Sequence, residues 1–181
     1  MAMGGLYYEQ FSLGQRFVHV LRRTVTEADN LIFSTLTHNP APLHLDEEYM
    51  KGTDFGTRLV NSCFTLSLMV GISVGDTTLG TTVANLGWDE VRFPRPVFIG
   101  DTLRVETTVH EMRESKSRPN DGIVTFIHRC FNQRNEEVGS CKRMALMRKL
   151  PREQVCCVRC CSCPAIAPHA SPRRSAVART P

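Results

Sequence analysis

Between Asn61 and Val74 the chain carries Phe64, Leu66, Leu68, Met69, Val70 and Ile72 and no charged side chain. Asn61 or Ser62 is a natural N-cap, and the run reads as a helix that leaves no polar face. Such a helix has to be covered on most sides. About 13 residues at ~1.5 Å each give roughly 20 Å, enough to run the width of a small sheet. The sequence after Gly80 supplies the cover, because it reads as strand and turn throughout. Val83 to Phe93 predicts a strand with an irregularity at Gly87, and Pro94 and Pro96 mark a bend after it. Gly100-Asp101 turns the chain into a strand over Thr102 to His110. Asn120-Asp121-Gly122 precedes one over Ile123 to Phe131, and Asn132 to Asn135 precedes one over Val138 to Met147. One long core helix followed by consecutive antiparallel strands is an α+β order.

Ahead of that helix, Phe17 to Val25 predicts a strand and Thr26 starts a second helix. Thr26 is its N-cap, and Asp29 stands where a capping box has its acid. Ala28, Leu31, Ile32, Thr35 and Leu36 recur at helical spacing, so the expectation is one apolar stripe turned to the core. Pro40 and Pro42 end the helix, since neither donates a backbone hydrogen bond and each restricts the residue before it. His44 is then held on a stiff loop, which suits either a catalytic group or a plain connector. Asp46 reads as the cap of a short helical turn through Tyr49 and Met50.

Charge and cysteine divide the 181 residues in two. From Pro151 onward there are five arginines and one acid, a net of +4 that equals the formal charge of the whole chain. The body is therefore neutral and carries no nucleic-acid footprint. Cys156, Cys157, Cys160, Cys161 and Cys163 also fall in this Pro/Arg/Ser/Ala-rich segment, leaving Cys63, Cys130 and Cys141 to the body. The boundaries expected are a folded domain over 1–150 and a disordered tail over 151–181. The tail's Cys-x-x-Cys spacings, with no folded frame, are weaker evidence for zinc than for an unstructured end, so no metal is expected. Met1 to Gly14 lacks the basic and apolar regions of a secretory signal, and Cys63 to Val74 is too short to span a bilayer. The expectation is a soluble cytoplasmic protein with reduced cysteines and no membrane contact.

The segment Asn39-Pro40-Ala41-Pro42-Leu43-His44 resembles the active-site segment of the MaoC-like, hotdog-fold dehydratases, also called hydratase-2 enzymes. The family pattern is roughly Asp-x-Asn-Pro-x-His. Pro42 and His44 match it, while Asn39 stands at the aspartate and Ala41 at the asparagine. The likeness covers roughly Leu6 to Leu150. It is closest to the branch that includes itaconyl-CoA and mesaconyl-CoA hydratases, through Leu59-Val60-Asn61-Ser62, Gly71-Ile72-Ser73-Val74, the run from Asp76 to Gly87, and Glu114 to Pro119.

This resemblance implies a single hotdog domain, an antiparallel sheet wrapped around a long central helix. It also implies the reversible addition of water to an enoyl-CoA double bond, with a short branched C5 dicarboxylyl-CoA as the expected substrate. His44 takes the place of the family histidine as acid/base. Asn39, which cannot act as a base, is left to hold the water or fix the His44 tautomer; Asp46 is the nearest carboxylate in sequence. The thioester oxygen is expected to meet a backbone amide at the start of the central helix, at Ser62 or Cys63. Arg58, Arg92, Arg95, Lys116 and Arg118 are the candidates for CoA phosphates or a distal carboxylate. No cofactor is needed. Because CoA in this family commonly lies between two hotdog units, at least a homodimer is implied. Two other readings stay open, an acyl-CoA thioesterase and a non-catalytic acyl-CoA-binding subunit. The absence of an acid between Ser62 and Gly75 favours hydration over the first.

Overall fold

The computed structural model of the chain describes residues 4–151. After a 3₁₀ turn at Tyr8–Gln10 come β1 (Arg16–Val18), β2 (Arg23–Thr24), α1 (Glu27–Leu36), α2 (Pro42–Leu45), α3 (Glu47–Lys51) and α4 (Ser62–Thr77). Four long strands complete it: β3 (Thr82–Arg92), β4 (Thr102–Glu114), β5 (Asp121–Phe131) and β6 (Glu137–Arg148). The sheet is antiparallel in the order β1-β4-β5-β6-β3, with β2 pairing further along β4. α4 packs against β4, β5 and β6. The α+β hotdog arrangement expected from the sequence is the one observed. The expectations for the tail and its cysteines fall on residues outside those described.

Burial explains why the sheet wraps the helix. Met69 and Ile72 of α4 are buried with Leu103, Val105, Cys130, Val138 and Cys141 from the strands. A second apolar cluster, Phe11, Val109, Val124, Phe126, Ala145 and Met147, continues along the strands under the N-terminal segment. Residues two apart on a strand share a face. Thr107 between Val105 and Val109, His128 between Phe126 and Cys130, and Arg143 between Cys141 and Ala145 therefore form a polar strip separating the two clusters, and all three are buried. The strip is bonded as far as His128, and Arg143 is held separately. Asp76 Oδ2 lies 2.7 Å from His19 Nδ1, His19 Nε2 lies 2.7 Å from Thr107 Oγ1, and Thr107 Oγ1 lies 2.9 Å from His128 Nδ1. At the far side Arg143 Nε donates to Asn85 Oδ1 of β3 at 3.1 Å.

Several local signals are realised. The Thr26 N–H donates to Asp29 Oδ2 at 2.8 Å and the Asp29 N–H to Thr26 Oγ1 at 3.2 Å, a full capping box. Asp46 caps α3 by accepting from the Tyr49 N–H at 2.9 Å, and Asn61 caps α4. The β3–β6 register shifts between Asn85 and Gly87, where the sequence placed an irregularity.

Other expectations are corrected. The strand expected over Phe17 to Val25 is split, because His19 turns inward to Asp76 and the chain leaves the sheet until Arg23. The apolar stripe of α1 faces outward: Leu36 is 75% exposed, and Leu31 and Ile32 are exposed as well. The buried face holds Asn30 and Ser34 instead, because it packs on loop backbone that needs polar partners. α1 stops before the prolines. His38 adopts a left-handed φ of 53°, and the Asn39 N–H reaches back to the Ser34 carbonyl at 2.9 Å, a Schellman-type end. His44 sits in a single helical turn rather than a loop, with Pro42 at its first position. α4 is not covered all round, for Cys63, Ser67 and Gly71 form an exposed stripe of small residues.

Candidate active site

His44 is fixed by the chain that faces it. Its Nδ1 lies 2.9 Å from the Leu59 carbonyl oxygen, and the Leu59 N–H returns to the Leu43 carbonyl at 2.9 Å. A carbonyl oxygen only accepts, so the neutral imidazole carries its proton on Nδ1 and its lone pair on Nε2. Nε2 has no hydrogen-bond partner among the described residues. The ring borders a cavity of about 440 Å³ that is also lined by Phe55, Leu59, Val60, Ser62, Thr65, Phe93, Arg95, Val97 and Val138. Among the described residues, no carboxylate lines it.

The start of α4 forms part of the same wall. The first amides of a helix lack intrahelical partners and sit at its positive end. The two amides expected to hold an oxyanion are not equivalent. The Cys63 N–H donates to the Asn61 side chain at 3.0 Å, whereas the Ser62 N–H has no partner among the described residues and Ser62 lines the cavity. Thr65, one turn on, is buried against the cavity with its hydroxyl oxygen unpartnered.

Asn39 is not brought to this wall. Its Oδ1 accepts the Ala41 N–H at 3.1 Å, and the residue lines a separate hollow with Ser34, His38, Pro40 and Leu45. Here Asn39 Oδ1 braces the loop that carries α2, and it is the Leu59 carbonyl that faces His44 Nδ1. Asp46 is occupied as the α3 cap.

Of the five candidate cations, Arg95 alone lines the His44 cavity. Its ties are loose, 3.4 Å from Nη1 to the Glu137 carbonyl and 4.0 Å from Nε to Glu136. Arg58 is engaged by Glu27 at 2.8 Å and Glu47 at 2.7 Å, which hold its proton more tightly than usual. Arg92 ends β3, exposed and outside the cavity, and Lys116 is exposed in the β4–β5 turn. Arg118, bonded to Asp121 at 2.6 Å, borders a different hollow of about 460 Å³ with Arg148 and Lys149.

Asn30 had drawn no attention in the sequence. It is 1% exposed and bonds to the backbone of His44, Leu59 and Asn61. The available signal is a small polar pair, Asn30 and Ser34, one helical turn apart on the same face.

Comparison with known proteins bears on the family and the fold. The chain is 33% identical to a mesaconyl-CoA hydratase of Cereibacter sphaeroides over 80% of its own length, spanning about two fifths (42%) of that relative. Among solved structures it is similar to a MaoC-like dehydratase from Rhodospirillum rubrum, with a TM-score of 0.72, 32% identity, and coverage of 81% of this chain and 99% of the other. A Mycobacterium tuberculosis protein with a double hotdog fold shares the fold alone, at 22% identity and a TM-score of 0.74; the match takes in 84% of this chain and 47% of that one. The family model for the MaoC-like domain matches residues 9–129, from the 3₁₀ turn through most of β5 and across His44 and Ser62, so the chain belongs to the MaoC-like dehydratase family.

Proposed function

We propose that the chain is an enoyl-CoA hydratase acting on a short branched dicarboxylyl-CoA such as mesaconyl-CoA or itaconyl-CoA. The observation that carries this is the pinned His44, its Nε2 without a partner among the described residues, on a cavity that Ser62 at the start of α4 also lines. Nε2 takes a proton from water as its oxygen attacks the β-carbon. The charge that builds on the thioester oxygen is met by the Ser62 N–H and the helix dipole. The imidazolium then returns the proton to the α-carbon, so hydroxyl and hydrogen are both added and no group leaves. With no carboxylate among the described residues that line the cavity, both proton transfers are given to His44 in this reading.

Arg95 is the group we assign to the distal carboxylate, since its planar fork suits a carboxylate and its own ties are loose. The relative's name, mesaconyl-CoA hydratase, supports a substrate with that second acid. We further infer a homodimer. β3 ends the sheet and exposes Leu86 and Trp88, and the small outward stripe of α4 leaves room for a second copy. The described cysteines are free thiols, which supports a cytoplasmic setting.

The test is loss of enoyl-thioester absorbance with crotonyl-CoA, mesaconyl-CoA and itaconyl-CoA in parallel. Preference for a dicarboxylate is expected. Preference for crotonyl-CoA would remove the branch assignment, and release of free CoA thiol without hydration would make the protein a thioesterase.

A further inference from the structure

We propose that Asn30 is a positioning residue that sets the His44 base and the α4 amide against one another. The inference rests on the hydratase reading of the site and adds a residue that touches no substrate. A side-chain amide has two N–H donors and a carbonyl acceptor. Asn30 commits both ends to the site. Nδ2 donates to the His44 carbonyl at 3.0 Å and to the Leu59 carbonyl at 3.3 Å, and Oδ1 accepts the Asn61 N–H at 2.9 Å. These three backbone groups belong to the turn carrying the base, the segment whose carbonyl faces the base's Nδ1, and the cap of the helix carrying the amide.

The amide has one workable orientation. Flipped, Oδ1 would face two carbonyl oxygens while Nδ2 faced an N–H, and no bond would survive. The Leu59 oxygen is shared, accepting from Asn30 Nδ2 and from His44 Nδ1 together. A change at Asn30 therefore reaches the imidazole through one common atom. Ser34, one helical turn on, repeats the logic by accepting from Asn61 Nδ2 at 3.3 Å, while Asn61 Oδ1 holds the Cys63 N–H. The buried face of α1 is thus a template on which the two halves of the site are registered. That accounts for a polar inner face on a helix whose apolar residues point to solvent.

Asn30→Asp tests this with almost no change of shape. The carboxylate still accepts from the Asn61 N–H but turns an acceptor toward the His44 and Leu59 carbonyls, removing both donations. Two measurements are made on the full chain. In steady-state hydration, kcat is expected to fall about 10- to 100-fold with KM within about threefold, the cost of a sub-ångström misplacement of the base. In side-chain ¹⁵N NMR, wild-type His44 is expected as the single Nδ1–H tautomer and the variant as a mixture of both. Asn30→Ser, which leaves room for water to serve the freed carbonyls, takes the same two measurements if Asn30→Asp does not fold. A merely structural role would lower Tm and leave kcat per folded molecule and the tautomer unchanged, and that result overturns the proposal. If the wild type hydrates no enoyl thioester, the hydratase reading fails and the tautomer measurement alone decides for or against Asn30.

Discussion

Acid should weaken this fold through the buried imidazole of His128. It ends a chain of close polar contacts: Asp76 Oδ2 faces His19 Nδ1, His19 Nε2 faces Thr107 Oγ1, and Thr107 Oγ1 faces His128 Nδ1. The other ring nitrogen, Nε2, is buried with no partner among the described residues. A proton there would be a buried charge, and burial first, then Arg143 and His19, push the His128 pKa down to about 3. An unfolded histidine titrates near 6.5. Between these values the unfolded chain binds a proton that the folded chain refuses. The contribution of His128 is therefore complete above the unfolded value and declines as pH falls toward the folded one. At ~1.4 kcal/mol per pH unit, the loss from about pH 7 to about pH 5 is roughly 2 kcal/mol, a large share of a typical domain's stability. Urea unfolding followed by far-UV circular dichroism and by the single tryptophan, Trp88, measures it. His128→Asn places an amide nitrogen where Nδ1 was, keeps the bond to Thr107 and does not titrate. Its stability should fall by about 2 kcal/mol less than the wild type's over that interval. Parallel losses, within about 0.5 kcal/mol, would refute the reasoning, whatever the variant's absolute stability.

Arg95→Gln should raise KM for mesaconyl-CoA by about 10- to 100-fold and leave crotonyl-CoA within about threefold, since only the former offers a second carboxylate; steady-state kinetics on both substrates checks this. If the proposed homodimer forms through β3, Trp88→Glu at its exposed edge should shift it toward monomer in light scattering coupled to size exclusion. Gly122→Ala should cost about 1–3 kcal/mol in denaturant unfolding, because a Cβ there would lie 2.2 Å from the Tyr8 ring. His38→Gly should raise stability by about 1 kcal/mol by relieving the left-handed backbone at the end of α1, seen as a higher Tm with unchanged activity.

The parts legible in the sequence are those whose signals are local. The capping box at Thr26 and Asp29, the Asp46 and Asn61 caps, the bulge near Gly87 and the four long strands each follow from a few adjacent residues, and each is present. His44 was found through a short family pattern. What the sequence hid is non-local. Helical periodicity assigns apolar residues to the core, but the inner face of α1 meets loop backbone 14 and 29 residues further along, which only polar atoms satisfy. The same reason separates Asn39 from His44, since the backbone path between them is set by an Asx turn and not by the pattern. The polar strip did leave a trace. A single polar residue at an inward position of three successive strands, Thr107, His128 and Arg143, is a repeat that strand alternation makes visible once the sheet order is known.

The cavity beside His44 shares part of its wall with the core. Val60, Val97 and Val138 line it and are at the same time members of the apolar cluster under α4. Trimming any of them to admit a bulkier acyl chain opens a void in the core, at about 1–3 kcal/mol for each valine shortened. Substrate range and foldedness are thus drawn from the same side chains, whereas the cluster beyond the polar strip, under the N-terminal segment, borders no part of the cavity. Under the proposed hydratase reading, stability that compensates for a changed acyl group is therefore to be found on the far side of His128, where repacking does not touch the cavity.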